Sequence, residues 1–320
     1  MADDFRDDFA ITANSLQSCT HREQIFSGAL SFCRRRYVQE LDGVDVAVVG
    51  VPLDLAVTNR PGARFGPRAI RAASSNLGWS RAWPSSFDPF ERLSVADWGD
   101  VRLDTGRPGA LTEQIAGAIA HVIGSDGGRG VLMLGGDHFS SYPSLQAHAE
   151  RHGGPLALVQ FDAHTDTWPD NGGRFDHGTM FASAIREGLI DPEHSIQVGI
   201  RTTNDDPMGV EVRDAITVQE APLAETVAAI KARVGGRPVY LSFDIDCLDP
   251  AYAPGTGTPV CGGLTSYQAL AILRGLAGIN LVGMDVVEVA PAYDVSEITA
   301  LAGATVALEL LCLYAARTGG

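Results

Sequence analysis

Leu158-Val159-Gln160-Phe161-Asp162-Ala163-His164-Thr165-Asp166 passes from an apolar run directly into three polar side chains spaced by two. In extended backbone that spacing turns all three toward one face. Tyr240-Leu241-Ser242-Phe243-Asp244-Ile245-Asp246 repeats the pattern with two carboxylates, and Val131-Leu132-Met133-Leu134-Gly135-Gly136 runs into Asp137-His138. Working outward, apolar runs rich in β-branched residues recur at 44–49, 93–96, 131–134, 156–161, 196–200, 215–218, 239–243 and 281–287, as expected of parallel strands buried on both faces. Helix-length amphipathic segments lie between or after them, at 67–74, 111–123, 141–151, 180–187, 222–234, 266–276 and 298–316. Alternating β and α at this spacing predicts an α/β fold, a three-layer α/β/α sandwich around a mostly parallel sheet of about eight strands. Closure of the same pattern into a barrel is the alternative. In both cases ligands belong at the C-terminal ends of the strands.

The 320 residues are 45% hydrophobic and 20% charged, which excludes disorder and suffices for a large core. No linker, repeat or low-complexity tract divides them, so 1–320 reads as a single domain in which 1–40 forms an irregular N-terminal extension. That extension ends in Arg34-Arg35-Arg36-Tyr37, a basic cluster that reads as a solvated face or a subunit contact. Lys and Arg number 24 against 39 Asp and Glu, and 24 − 39 leaves −15. Such a charge speaks against nucleic acid and anionic membrane as partners and for a small cation. The first twenty residues lack a basic region followed by an apolar one, and no window reaches the ~20 apolar residues of a membrane span. The expectation is a cytoplasmic protein. Cys19, Cys33, Cys247, Cys261 and Cys312 are odd in number and irregularly spaced, which fits reduced, structural thiols. His21, His121, His148, His152 and His194 have no carboxylate at ligand spacing and read as solvated. The glycine-rich 124–130 matches no phosphate-binding fingerprint and reads as a connection.

Carboxylates at the ends of apolar strands are costly, because desolvation disfavours each ion and like charges repel. Taken singly, an Asp-x-His is more often a satisfied surface pair, and an Asp-x-Asp is often a turn or helix cap. Three such motifs at strand ends of one sheet instead require a positive counterpart. Asp162, Asp166, Asp244 and Asp246 carry four negative charges, matching two divalent cations, while His138 and His164 add neutral nitrogen donors. An oxygen-rich set with imidazole suits Mn²⁺, with Co²⁺ and Ni²⁺ accepting similar donors, and the lack of thiolates argues against structural zinc.

Gly135-Gly136-Asp137-His138, Phe161-Asp162-Ala163-His164-Thr165-Asp166, Asp176-His177-Gly178-Thr179-Met180-Phe181 and Ser242-Phe243-Asp244-Ile245-Asp246-Cys247-Leu248-Asp249-Pro250 resemble the signature blocks of the arginase/agmatinase (ureohydrolase) family. Ala253-Pro254-Gly255-Thr256-Gly257-Thr258-Pro259, Asp285-Val286-Val287-Glu288-Val289-Ala290-Pro291 and Asn59-Arg60-Pro61-Gly62-Ala63-Arg64-Phe65-Gly66-Pro67 fit the same pattern. The resemblance therefore covers nearly all of the chain after about residue 40. It implies an arginase-like fold and a centre of two divalent ions. One side would be held by His138, Asp162, Asp166 and Asp244, the other by Asp162, His164, Asp244 and Asp246, with Asp162 and Asp244 bridging. Cations about 3.5 to 4 Å apart can share a water and lower its pKa toward neutrality. The implied reaction is hydrolysis of a guanidino compound, whose resonance-stabilised carbon needs a strong nucleophile, stabilisation of a tetrahedral intermediate and a proton for the leaving amine. The resemblance implies His177 as proton shuttle and substrate contact, and Glu288 as the carboxylate that pairs with the guanidinium fork.

Asp176-His177-Gly178-Thr179-Met180-Phe181 is similar to the agmatinase version of its block, which implies agmatine plus water going to putrescine and urea, a step of polyamine biosynthesis. Asp176 is a candidate for meeting a cationic substrate tail, for orienting His177 or for capping the next helix. The loop 168–174 carries both signs of charge. A guanidino acid hydrolase acting on guanidinobutyrate or guanidinopropionate is the alternative within the family. Outside it stand an amide or phosphate ester hydrolase, disfavoured because no Lys/Arg cluster lies near the motifs, and a non-catalytic paralogue subunit, disfavoured because all six ligands, His177 and Glu288 are kept. Family members commonly form trimers or hexamers, so a homotrimer or homohexamer is implied.

Overall fold

A computed structural model describes residues 25–78, 81–124, 128–170 and 176–317. Its strands are β1 (Arg36–Tyr37), β2 (Val46–Val51), β3 (Val95–Asp100), β4 (Gly130–Gly135), β5 (Ala157–Phe161), β6 (Ile196–Ile200), β7 (Glu211–Asp214), β8 (Val239–Asp244) and β9 (Leu281–Val287). They form one nine-stranded sheet in the order β1-β3-β2-β4-β9-β8-β5-β6-β7, and every pairing is parallel. The sheet is open, with β1 and β7 at its edges, so the barrel alternative does not hold. The helices are α1 (Gly66–Ser74), α2 (Leu111–Ile123), α3 (Ser141–His152), α4 (Met180–Arg186), α5 (Ala215–Glu220), α6 (Leu223–Val234), α7 (Ser266–Gly275) and α8 (Ile298–Ala315).

Strands β2, β4, β5, β6 and β8 are buried at every position, as strands covered on both faces must be. Alternation along each strand then feeds two cores. Val46, Val48, Leu132 and Leu134 share one with Ile70 of α1, Ile272 of α7 and Leu310 of α8. Ala47, Val49, Val131 and Met133 share the other with Ile115 and Ile119 of α2, Leu145 of α3 and Phe181 of α4. Each fully buried Val, Leu or Ile stabilises by about 1.5–3 kcal/mol, so the three-layer arrangement follows from the apolar runs. Among the described residues, α8 is long and apolar enough to cross a membrane, but 72% of it is buried within the fold, where it serves as a core helix. Local signals set the ends: α7 opens on a capping box in which Thr265 Oγ1 accepts from Gln268 N at 3.1 Å and Gln268 Oε1 accepts from Thr265 N at 2.9 Å.

Several expectations are corrected. The run 215–218 is helix α5, not strand, because Asp214 Oδ1 accepts from Thr217 N at 2.7 Å and caps the turn. The strand of that unit is the edge strand β7 just before it, whose residues alternate between half-buried and exposed. The basic cluster is not a solvated face: Arg34 and Arg35 are buried. Arg34 donates to the carbonyl of Ser27, and Arg35 stacks 4.1 Å over the Phe90 ring. His148 is buried on α3 with Nδ1 2.8 Å from the Ser144 carbonyl, and burial lowers its pKa to about 4, so it is a neutral core residue. His194 does have a carboxylate partner, Asp191, at 2.9 Å. Cys33, Cys247 and Cys312 are buried free thiols as expected, whereas Cys261 is exposed. His21, Cys19 and the first part of the extension lie outside the described residues.

Candidate metal centre

The four strands that carry the motifs, β4, β9, β8 and β5, are consecutive neighbours in the middle of the sheet. Sequence-adjacent β4 and β5 are held apart by β9 and β8, so the sheet has its topological switch there and a crevice opens at the C-terminal ends. Gly136 closes β4 against the loop after β2. A Cβ there would lie 1.7 Å from the Leu53 carbonyl oxygen, and the space lets Asp137 N donate to that oxygen at 2.8 Å. Asp137 Oδ2 accepts from Ala56 N at 2.9 Å and so fixes the turn that presents His138. On β5 and β8, Asp162 Oδ1 accepts from His164 N at 2.6 Å and Asp244 Oδ1 from Asp246 N at 2.8 Å, curling each strand end so that its carboxylates converge.

All six proposed ligands come together. His138 Nδ1 lies 3.0 Å from Asp162 Oδ2, 2.8 Å from Asp166 Oδ2 and 3.2 Å from Asp244 Oδ2. His164 Nδ1 lies 3.4 Å from Asp162 Oδ1 and 3.2 Å from Asp246 Oδ2. His138, Asp162 and Asp244 thus form one donor set and Asp162, His164 and Asp246 a second, each with its ligand atoms within 4.8 Å of one another. Asp162 belongs to both sets, while Asp244 stands in the first. His138 Nδ1 is buried and makes no hydrogen bond, although three carboxylate oxygens surround it. A nitrogen and acids facing one point without hydrogen bonding to each other is the donor arrangement of a cation site, and these residues fit the implied ions.

Electrostatics point the same way. Burial opposes a charge on the His164 ring, but Asp246 and Asp162 outweigh it and push the pKa up to about 12. His138 is likewise raised well above the usual imidazole range against its burial, by Asp162, Asp166 and Asp244. Asp166 rises to about 7 through burial and Asp162, and Asp244 rises through burial, Asp246 and Asp162. The cluster therefore retains protons where no cation neutralises it. Two site residues also carry backbone strain. Asp166 and Glu288 both take left-handed φ, 52° and 64°, at a cost of about 1–3 kcal/mol each.

Glu288 follows β9 directly. Its Oε1 accepts from His138 N and from His177 Nδ1, both at 2.8 Å, while Oε2 is buried and unpartnered. His177 is buried, and this opposes its protonation, but Glu288 outweighs burial and lifts its pKa to about 9. Asp176 Oδ1 accepts from Gly178 N at 2.8 Å, so this side chain caps the turn leading into α4 and also lines the cavity above the cluster. That cavity has about 330 Å³ and is further lined by Thr58, His164, Trp168, His177 and Thr258. A groove of similar size between α7 and α8, lined by Leu248, Tyr252, Leu270 and Leu301, holds no acid or imidazole.

Sequence reasoning missed the supporting layer. Gln160 Nε2 donates to Asp162 Oδ2 at 2.7 Å, and Gln197 Nε2 donates to Gln160 Oε1 at 2.7 Å. Ser242 Oγ lies 2.8 Å from His138 Nε2 and donates to Asp285 Oδ1 at 2.7 Å; Asp285 also accepts from Ser141 and Tyr240. Arg201 donates to the carbonyls of Gly199, Asp246, Cys247, Leu248 and Val260. A signal was available for Gln160 and Ser242: each is a polar residue inside an apolar strand, two positions before a candidate ligand and hence on its face.

Fold and site define an open, all-parallel α/β metalloprotein whose two overlapping donor sets sit at the switch point of the sheet. Comparison with known proteins narrows this class. The arginase family profile matches residues 44–312, and the chain belongs to that family. It is similar to an agmatinase of Chromobacterium violaceum, 56% identical over 292 residues that cover 91% of this chain and 90% of the relative. Among solved structures it is similar to a hypothetical agmatinase from Burkholderia thailandensis, with a TM-score of 0.89, 56% identity and coverage of 92% and 93%. Proclavaminate amidino hydrolase from Streptomyces clavuligerus superposes with a TM-score of 0.84 at 39% identity, covering 92% of this chain and 99% of its own.

Proposed function

We propose that this protein is an agmatinase, hydrolysing agmatine to putrescine and urea. The observation that carries the reading is the buried, unpartnered Glu288 Oε2 beside the two donor sets, in a chain 56% identical to an agmatinase. In this reading His138, Asp162, Asp166 and Asp244 would hold one divalent cation and Asp162, His164, Asp244 and Asp246 the other, with Mn²⁺ best suited to the donors. When bound, the pair supplies an ionised water at neutral pH. Glu288 takes the guanidinium through Oε2, while Oε1 stays with His138 N and His177 Nδ1. His177, on the cavity wall, delivers a proton to the leaving amine from Nε2. Asp176 draws the cationic tail. We further infer a single domain, cytoplasmic location, homotrimeric or homohexameric assembly and a role in polyamine biosynthesis.

Urea release from agmatine, arginine, 4-guanidinobutyrate and 3-guanidinopropionate, each with the divalent metal varied, tests the reading. Agmatine with Mn²⁺ should give the fastest release. Release from guanidinobutyrate with none from agmatine would move the substrate to a guanidino acid. Asp244→Ala should abolish metal content and turnover while leaving assembly intact; unchanged turnover would contradict the reading.

A further inference from the structure

Thr58 lies on the loop between β2 and α1, outside the motifs that carry the donor sets, and is exposed at the rim of the cavity. Its backbone N–H donates to His177 Nε2 at 3.1 Å, and its hydroxyl stands 2.8 Å from the same nitrogen. On the far side of the ring, Nδ1 meets Glu288 Oε1 at 2.8 Å. An amide N–H can only donate, so Nε2 is an acceptor here and the ring proton sits on Nδ1. The loop is anchored on both sides of this contact. Ala56 N donates to Asp137 Oδ2, His177 N donates to the Ala56 carbonyl at 3.2 Å, Asn59 Nδ2 donates to the Gly257 carbonyl at 3.1 Å, and Gly62 N donates to Asp54 Oδ2 at 2.9 Å. Two polar groups of one residue are therefore fixed on the single imidazole nitrogen that faces away from Glu288.

We propose that Thr58 is a positioning residue for His177, its amide and hydroxyl together fixing the Nδ1–H tautomer and the hydroxyl keeping hold of Nε2 through the proton cycle. The inference rests on the proton-carrying role given to His177 above. With Nε2 unprotonated, the hydroxyl donates to it. Once Nε2 gains a proton the amide contact is lost and the hydroxyl turns to accept the new N–H, which the amide cannot do. Loss of that proton to the leaving amine restores the first arrangement, so nothing is consumed.

Thr58→Val removes only the hydroxyl, and Thr58→Ser restores it. With Mn²⁺-loaded enzyme and agmatine, the valine variant should lose about tenfold in kcat, the size of one net hydrogen bond. KM should stay near wild type, the pH profile of kcat should shift, and the serine variant should stay within about twofold of wild type. An independent readout is the ¹⁵N spectrum of metal-free, histidine-labelled protein recorded near pH 10, where a ring lifted to about 9 is neutral, with His177→Asn identifying the His177 signals. Nε2 should appear as a hydrogen-bonded acceptor in wild type and Thr58→Ser and move toward the unbonded value in Thr58→Val. Thr58→Ala replaces the valine variant if that one does not fold. An unchanged Nε2 signal in the valine variant, an unchanged pH profile, or a serine variant as impaired as valine would overturn the proposal. If wild type releases no urea from agmatine, the reading of the site fails, and the ¹⁵N comparison still decides the role of Thr58.

Discussion

His138 Nε2, just after β4, and Ser242 Oγ of β8 lie 2.8 Å apart across the intervening β9, and Ser242 passes the contact on to the buried Asp285. Since the serine proton goes to Asp285, Ser242 Oγ accepts Nε2–H, which leaves the Nδ1 lone pair directed at Asp162, Asp166 and Asp244. Ser242→Ala should therefore weaken divalent-ion affinity by about 10- to 100-fold, as loss of a partner behind a ligating histidine does. Competition of the variant and wild type against a metal-ion indicator checks this. Equal affinities would remove Ser242 from the account.

Metal removal should make stability fall with pH. His138 and His164 have folded pKa values raised above their ordinary value, His164 to about 12. Their stabilisation is complete below the unfolded value near 6.5 and is lost as pH rises through the folded one. Asp166, raised to about 7, and Asp244, also raised, make the folded state lose ground in the same sense above the unfolded value near 3.9. EDTA-treated protein should thus show a lower Tm at pH 8.5 than at pH 6.5. Mn²⁺ should restore it most at the higher pH, because ligation requires the protons to leave. Thermal scans with and without metal across that range provide the measurement.

Arg201 stitches the turn that carries Asp246 by donating to five carbonyl groups from β6, the 246–248 turn and residue 260. Lys presents a point charge and cannot cover five acceptors from one fork. Arg201→Lys is expected to cost about 3 kcal/mol of unfolding free energy, measured by urea titration of the metal-loaded protein. A cost below about 0.5 kcal/mol would show that the carbonyls find other partners.

Arg71 of α1 donates from Nε to Asp97 Oδ2 of β3 at 2.8 Å, and both side chains are buried; the same carboxylate oxygen accepts from Phe32 N at 2.8 Å. Arg71→Met leaves Asp97 as an uncompensated buried charge and should destabilise by about 3–5 kcal/mol. Adding Asp97→Leu to that variant should recover part of the loss, which a double-mutant cycle in urea unfolding would read.

Thiol chemistry should separate the cysteines. Burial pushes Cys33 and Cys312 up to about 12 and also raises Cys247 well above its ordinary range, whereas Cys261 is exposed. In a Cys19→Ser background, a maleimide reagent at pH 8 should modify Cys261 alone until the protein is unfolded.

The sequence carries most of the fold because continuous apolar runs between amphipathic helices leave few ways to bury both faces of a strand. Strands β6 and β9 fall where the runs begin and end. The run at 215–218 failed because four apolar-rich residues suit either element, and Asp214 capping decided for helix. Strand β1 is two residues long and gains its place from pairing with β3, which no local pattern announces. The candidate ligands were legible because acids at strand ends break the hydrophobic pattern. Asp285 stood inside a quoted motif without a role, since only the parallel register that sets it opposite Ser242 reveals its partner. Thr58 and Arg201 act across loops distant in sequence, where spacing carries no information.

Asp162 stands in both donor sets, which predicts that two cation sites share it. Titrating metal-free protein with Mn²⁺ while following bound metal and urea release tests it most directly, with Asp162→Asn alongside. The account predicts activity that is complete at two ions per chain, and a variant that loses both ions together with turnover. Full activity without bound metal, or an Asp162→Asn protein that still binds two ions as tightly as wild type, would contradict it.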